Sequence, residues 1–328
     1  MKLSRTLKPL PNQGYRPTFK WAFLHPKHWG TWVSIGFLML FALLPWKVRD
    51  PIAGKLGKFI GRRAKKVRRR AQVNLTLCFP EQSPAERESM IDDMFAVATQ
   101  VIFAMGELTF KNRAHLQERT QVFGLEHLEK LVEEERPLIM LVPHAWAIDF
   151  PAIYWASLGL PVAALMKPQH RQPVYDWLIS KQRLQYGGVC YTREEGLKPY
   201  IKAVKQGYMG YYLPDEDFGP EQSQFTDFFA TKKATFAGLG KIVRMTGAEI
   251  LPMMPVYNSI TGKFEIHILP AIDNLPTGDL QQDADTLAQS LENMVAPTPT
   301  QYMWNLRLLK TRPDNEPDPY NTLKISGL

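Results

Sequence analysis

The chain has 328 residues, of which 45% are hydrophobic and 22% charged, and a net charge of +8. That length and apolar content suit one large α/β domain or two smaller ones with a sizeable core. Its two cysteines, Cys78 and Cys190, exclude a disulfide framework and have no zinc-ligand spacing, which points to a reducing compartment.

The charge is concentrated. Residues 47–70 carry eleven Lys or Arg against one acid, Asp50, so the rest of the chain sums to −2. Just before them, Trp29 to Trp46 holds eighteen residues without a charge, bounded by tryptophans as in an interfacial belt. As one helix this would span about 27 Å, enough for a bilayer core. Six cations (Lys2, Arg5, Lys8, Arg16, Lys20 and Lys27) precede it and eleven follow in 24 residues, so the following side is expected to be cytoplasmic. The reading is a tail and membrane anchor over 1–46 and a body over 47–328, with a monotopic seat as the alternative to a span. The basic stretch suits an anionic leaflet, at about 1 kcal/mol per Lys or Arg near the surface. A nucleic-acid arm fits less well because the stretch abuts the membrane segment.

Residues 71–118 read as helices, with apolar positions Met94, Phe95, Val97, Val101, Ile102 and Met105. Val122 to Gly124 precedes a short helical run. Apolar strands are then expected at 138–142, 161–166, 187–191, 208–213 and 250–256, with an edge strand at 264–269 and helices between most of them. This pattern predicts an α/β fold: a mostly parallel mixed sheet with helices on both faces, plus the N-terminal membrane helix. Helices are expected again at 279–295 and 302–309, and a loose surface tail over 310–328.

The most informative residues are His144-Ala-Trp-Ala-Ile-Asp149, directly after the strand 138–142. Pro143 stops that strand, and Pro151 fits only the first turn of a following helix. A histidine there sits where α/β sheets place their ligand crevices. Within one helix, residues five apart lie about 140° apart, but a turn lets the Asp149 carboxylate reach one ring nitrogen of His144. The other nitrogen is then free to act as a general base, and nearby helix N-terminal amides could hold an oxyanion.

Other strand ends carry polar groups too. Tyr191-Thr192-Arg193 offers a cation, and Leu213-Pro214-Asp215-Glu216-Asp217 offers acids. Pro255-Val256-Tyr257 closes another strand. Convergence of these ends would place a base, a cation and acids in one crevice. No Gly-x-Ser-x-Gly elbow and no His-Glu-x-x-His helix is present. Ala237 to Ile242 imitates a phosphate loop but lacks its first Gly and its Ser/Thr.

Four segments carry a family resemblance: V-P-H-A-W-A-I-D-F-P-A (142–152), G-Y-Y-L-P-D-E-D-F-G (210–219), D-F-F-A-T-K-K-A-T (227–235) and Q-Y-M-W-N-L-R-L-L-K-T-R-P (301–313). With them the chain resembles the late acyltransferases of lipid A biosynthesis, most of all the myristoyltransferase branch, within the H-x4-D glycerolipid acyltransferase superfamily. The resemblance implies His144 as catalytic base and Asp149 as its orienting partner. Arg193, Asp215 and Asp217 match further superfamily blocks, though P-D-E-D-F-G stands where glycerolipid members read P-E-G-T-R. Glu126, in G-L-E-H-L, matches a family position, and Lys167 joins Arg193, Asp215, Asp217 and Glu126 as the expected substrate-binding set. The implied reaction is acyl transfer from an acyl carrier protein thioester to a hydroxyacyl chain of a lipid A precursor, at the inner membrane, with no acyl-enzyme, metal, cofactor or nucleic acid. A phospholipid acyltransferase and a lipid-binding scaffold with a structural His144 are the alternatives.

Overall fold

The computed structural model describes residues 5–10, 12, 14–109 and 111–325; Lys2 of the N-terminal cation count and the last three residues of the tail lie outside it. In chain order the elements are α1 (Trp29–Ala42), α2 (Trp46–Arg63), α3 (Lys65–Cys78), α4 (Pro84–Met105), α5 (Arg113–Glu118), β1 (Thr120–Phe123), α6 (Leu125–Glu133) and β2 (Leu138–Leu141). There follow α7 (Phe150–Ser157), β3 (Val162–Met166), α8 (Pro173–Arg183), β4 (Val189–Thr192), α9 (Leu197–Lys205) and β5 (Met209–Tyr212). The chain ends with β6 (Ser223–Phe228), β7 (Thr231–Phe236), α10 (Leu239–Thr246), β8 (Glu249–Asn258), β9 (Lys263–Ile268), α11 (Leu280–Val295) and α12 (Pro319–Thr322).

Seven strands form one sheet in the order β1-β9-β8-β2-β5-β3-β4, parallel except for the β8–β9 pair. β2 shows why it lies at the centre. Ile139 and Leu141 enter one core, with Leu75, Leu239, Leu291 and Trp304. Leu138 and Met140 enter the other, with Leu128, Phe150 and Trp155. A strand apolar on both faces must be covered on both, and helices cover it. β9, expected at an edge, is interior because the four-residue β1 pairs along it. Four residues are too few for periodicity to announce a strand.

The apolar stretch 29–46 is not one helix. α1 ends at Ala42, Pro45 precedes a new helix, and α2 starts at Trp46. Fourteen residues make about 21 Å, short of a full bilayer core. Trp29, Val33, Phe37 and Leu40 are exposed along α1 and Leu43 directly after it, while the helix packs on α4 through Phe41 and Phe103. Among the described residues, one helix is long and apolar enough to cross a membrane, Pro84–Thr109, and half of it is buried.

The basic stretch forms α2 and the start of α3, and its cations have different fates. Arg49 is fully buried, donating to Asp50 Oδ1 at 2.8 Å and to the Tyr257 hydroxyl at 2.6 Å, and pairing with Glu107. Lys58 pairs with Asp93, and Arg62 and Arg68 with Asp92 of α4. α2 and α4 approach closely at Gly57, where a Cβ would lie 2.2 Å from the Phe95 carbonyl oxygen.

The C-terminal region departs further from expectation. Residues 302–309 are irregular because their backbone is used elsewhere: Tyr302 bridges to Ala145, and Asn74 donates to the carbonyls of Trp304 and Leu306. The tail is tied down, with α12 holding Asn74 through the Tyr320 hydroxyl.

Candidate active site

Register builds the site. Leu141 of β2 pairs with Tyr212 of β5, so residues three positions beyond each strand end, His144 and Asp215, face each other. His144 Nδ1 lies 2.5 Å from Asp215 Oδ1, and the His144 amide donates to Asp215 Oδ2 at 2.8 Å. Asp215 is completely buried. An ionised carboxylate only accepts, so the Nδ1 proton points at Asp215 and Nε2 carries the lone pair. Burial disfavours the imidazolium, but the Asp215 charge outweighs it and lifts the His144 pKa above its ordinary value. Burial likewise opposes the Asp215 carboxylate, and His144 reverses that, holding its pKa below the usual range.

This corrects the expected pairing. Asp149 does not reach His144. It stands at the start of α7 and accepts a fork from Arg183, the last residue of α8, at 2.8 and 3.0 Å. Burial disfavours the Arg183 cation, but Asp149 outweighs it and raises its pKa. Two amides at this turn are spent locally, Ile148 N–H donating to the Ala145 carbonyl and Phe150 N–H to that of Ala147. Pro151 has no N–H to offer.

The C-terminal segment closes the other side of the loop. Met303 N–H donates to the His144 carbonyl at 2.8 Å and Trp146 N–H to the Gln301 carbonyl at 2.9 Å. Tyr302 is buried beside Asp215; burial and that carboxylate together push its hydroxyl pKa well up. Lys233 of β7 is fully buried too, donating to the Ala234 carbonyl at 3.3 Å. Burial lowers its pKa, while Asp215 and Asp217 oppose that.

His144 lines a cavity of about 470 Å³ together with Asp149, Lys167, Arg183, Arg193 and Glu216 and the apolar side chains of Ala164, Leu165, Ile179 and Leu213. Lys167 and Arg193 are exposed at its rim, and Arg193 pairs with Glu216. A second cavity of about 350 Å³ shares Ile148, Asp149, Tyr175, Ile179 and Arg183 with the first and is walled by Ile35, Leu38 and Met39 of α1 and Val101, Ile102 and Met105 of α4. The Asp149–Arg183 pair stands where the two meet.

Three expected residues lie elsewhere. Asp217 accepts from the amide and hydroxyl of Thr311, each at 2.7 Å, and so anchors the tail. Glu126 is exposed in the first turn of α6, after β1. β1 runs against β2, so Glu126 sits at the end of the sheet opposite His144. Tyr257 is buried in the Arg49 network. Sequence reasoning missed Arg183, Glu216 and Tyr302 as site residues. Arg183 gave no signal beyond a cation at the end of a predicted helix, whereas Glu216 lies inside the acid cluster already singled out.

The family model for bacterial lipid A biosynthesis acyltransferases matches residues 16–311. A lipid A biosynthesis acyltransferase of Haemophilus influenzae is 47% identical over 303 residues, covering 92% of this chain and 94% of that protein. The chain belongs to this family. It is an acyltransferase. The lipid A biosynthesis myristoyltransferase of Escherichia coli is 43% identical over 309 residues (94% of this chain, 95% of that protein), against 33% for the lauroyltransferase of the same organism (93% and 99%). The acyltransferase thus lies with the myristoyl branch, as its four segments suggest.

Proposed function

We propose that the acyltransferase moves an acyl chain from an acyl carrier protein thioester to the hydroxyl of a hydroxyacyl chain on a lipid A precursor, with His144 as general base and Asp215 as its orienting partner. The observation that carries this is the pairing of His144 with the buried Asp215 at the wall of a largely apolar cavity. His144 Nε2 takes the hydroxyl proton, and the oxygen attacks the thioester carbonyl. The tetrahedral intermediate collapses with loss of the C–S bond, and the imidazolium returns the proton to the departing thiolate. No Ser or Cys accompanies His144 in the cavity except Cys190, whose thiol burial raises to a pKa of about 11, unfit for a nucleophile. Transfer is therefore direct, without an acyl-enzyme.

The second, apolar cavity suits the hydrocarbon chain, whose burial there is favourable at about 25 cal/mol per Å². Arg193 and Lys167 at the rim supply positive charge for the phosphates of the glycolipid or for an acidic carrier protein. The Asp149–Arg183 pair acts on geometry, fixing the turn that follows His144 against α8. Membrane attachment is through α1 and the corner that follows, seated in the cytoplasmic leaflet of the inner membrane, with the exposed cations Lys47, Lys55 and Arg63 towards anionic headgroups. Transfer from a carrier-protein thioester to a hydroxyacyl glycolipid, read by mass spectrometry for the parent and His144→Ala, tests the assignment. Transfer by His144→Ala at the parental rate would remove it.

A further inference from the structure

The turn joining β8 to β9 carries Ile260, which is 85% exposed, the highest exposure of any large apolar side chain among the described residues. The Asn258 side chain accepts from the amides of Ile260 and Thr261 at 3.0 and 3.2 Å, an arrangement that fixes the turn and presents Ile260 outward. A single exposed isoleucine needs no explanation. This one has company.

Gly262, two residues on, has φ +68° and lies against Trp46, so close that a Cβ would stand 2.3 Å from the indole. Trp46 opens α2, and around it Leu43, Leu44, Val48 and Ile52 are all exposed. One pair in from the turn, Tyr257, opposite Phe264, donates to Asp50 of α2 at 2.5 Å and accepts from Arg49. The hairpin and the α1–α2 corner are thus fastened at two points. Lys47 and Lys55 are exposed on α2, and Lys263, half-buried, stands on the hairpin itself.

Topology gives the direction. β8 pairs with β2 only through Pro252, then continues with β9 for six residues, about 20 Å of strand, beyond the end of β2 that leads to His144. The tip therefore projects at the catalytic end of the sheet. Apolar side chains at a turn tip, accompanied by cations and fastened to an exposed apolar corner, match an anionic lipid surface in both polarity and charge.

We infer that the β8–β9 turn is a second insertion point into the lipid surface, with Ile260 in the acyl region and the corner at Trp46 beside it. Two linked attachments set the tilt of the body, so the crevice opens toward the bilayer. This rests on the membrane seat proposed above but on no step of the chemistry, and its test reads no transfer. An environment-sensitive dye is placed on Ile260→Cys in the full chain; both native cysteines are buried and do not compete. On mixed phosphatidylcholine–phosphatidylglycerol vesicles the dye should shift to the blue and be quenched by lipids brominated on their acyl chains. The same dye on Lys205→Cys, at the opposite end of the sheet, should do neither. Ile260→Asp should lower vesicle affinity roughly tenfold, by losing apolar burial and adding a repelled charge. The inference is overturned if the dye at 260 stays as wet as that at 205 in vesicle-bound protein, or if Ile260→Asp binds as the parent does. A blue shift caused by acyl carrier protein without vesicles would also overturn it, assigning the turn to a protein partner.

Discussion

Replacing Asp215 by Asn separates the two carboxylates that could serve His144. Asp215 takes two hydrogen bonds from one residue, 2.5 Å from Nδ1 and 2.8 Å from the backbone amide. Asn has one oxygen and one NH2. Because the backbone amide can only donate, the Asn oxygen must meet it, leaving the NH2 to donate to Nδ1. The imidazole proton is then forced onto Nε2, and the base faces the cavity with no lone pair. Shape and packing change little, yet the tautomer is wrong, a defect worth about 10⁴ in rate in a Ser-His-Asp triad. Asp215→Asn should therefore lower kcat by about 10³- to 10⁴-fold. Asp149→Asn keeps one acceptor for Arg183 and leaves His144 untouched, so a loss of about tenfold, through looser positioning, is expected. The pH profile distinguishes the two further. His144 must be neutral to act, and its pKa is raised, so the acid limb of kcat/KM in the parent lies above the ordinary value of about 6.5. Removing the Asp215 charge should move that limb to lower pH even as the plateau falls; Asp149→Asn should leave it in place. The measurement is initial transfer rate by mass spectrometry across pH, with circular dichroism as a folding check. Should Asp149→Asn lose as much as Asp215→Asn and move the limb likewise, the orienting role belongs to Asp149.

Three further outcomes are expected. His144→Ala should cost at least about 10²-fold in transfer and also lower the melting temperature, because the fully buried Asp215 loses its partner, a loss of the order of 3–5 kcal/mol; an unchanged Tm would mean that Asp215 is satisfied without His144. Gly57→Ala should destabilise by about 1–3 kcal/mol in a denaturant titration, since the Phe95 carbonyl it meets is backbone and cannot swing away. Converting the exposed cations Lys47, Lys55 and Arg63 to Gln should weaken sedimentation with anionic vesicles by about 1 kcal/mol each at most, and added salt should imitate it; salt-insensitive binding would assign the stretch another task.

What the sequence discloses depends on range. The strand 138–142 is a continuous apolar run stopped by Pro143, so His144 at its end is legible from local residues alone. The helix 279–295 is legible too, with Asp279 as its cap. Which carboxylate meets His144 is not, because it depends on β2 and β5 being neighbours, a pairing of segments about seventy residues apart. Spacing favours Asp149, and strand order gives Asp215. The Asp149–Arg183 fork requires the docking of α7 on α8, which no motif encodes. Residues 302–309 carry helical apolar spacing, yet Met303 and Tyr302 are held to the His144 loop, and tertiary pairing overrides the pattern. The segment 29–46 reads as one apolar block because hydropathy does not register where Pro45 ends one helix and seats the next.

The bond from Met303 to the His144 carbonyl also sets an order in time. Translation delivers the chain from its amino end at about 5–20 residues per second, so some 160 residues, about 8–30 s, separate the emergence of His144 from that of its closing segment. α1 and α2 leave the ribosome well before either. On the proposed seat, the lipid-facing corner is made first and the loop bearing His144 is locked last, so a nascent molecule would meet the membrane before it could react with an acyl donor. A chain stopped short of residue 301 should then bind vesicles and transfer nothing.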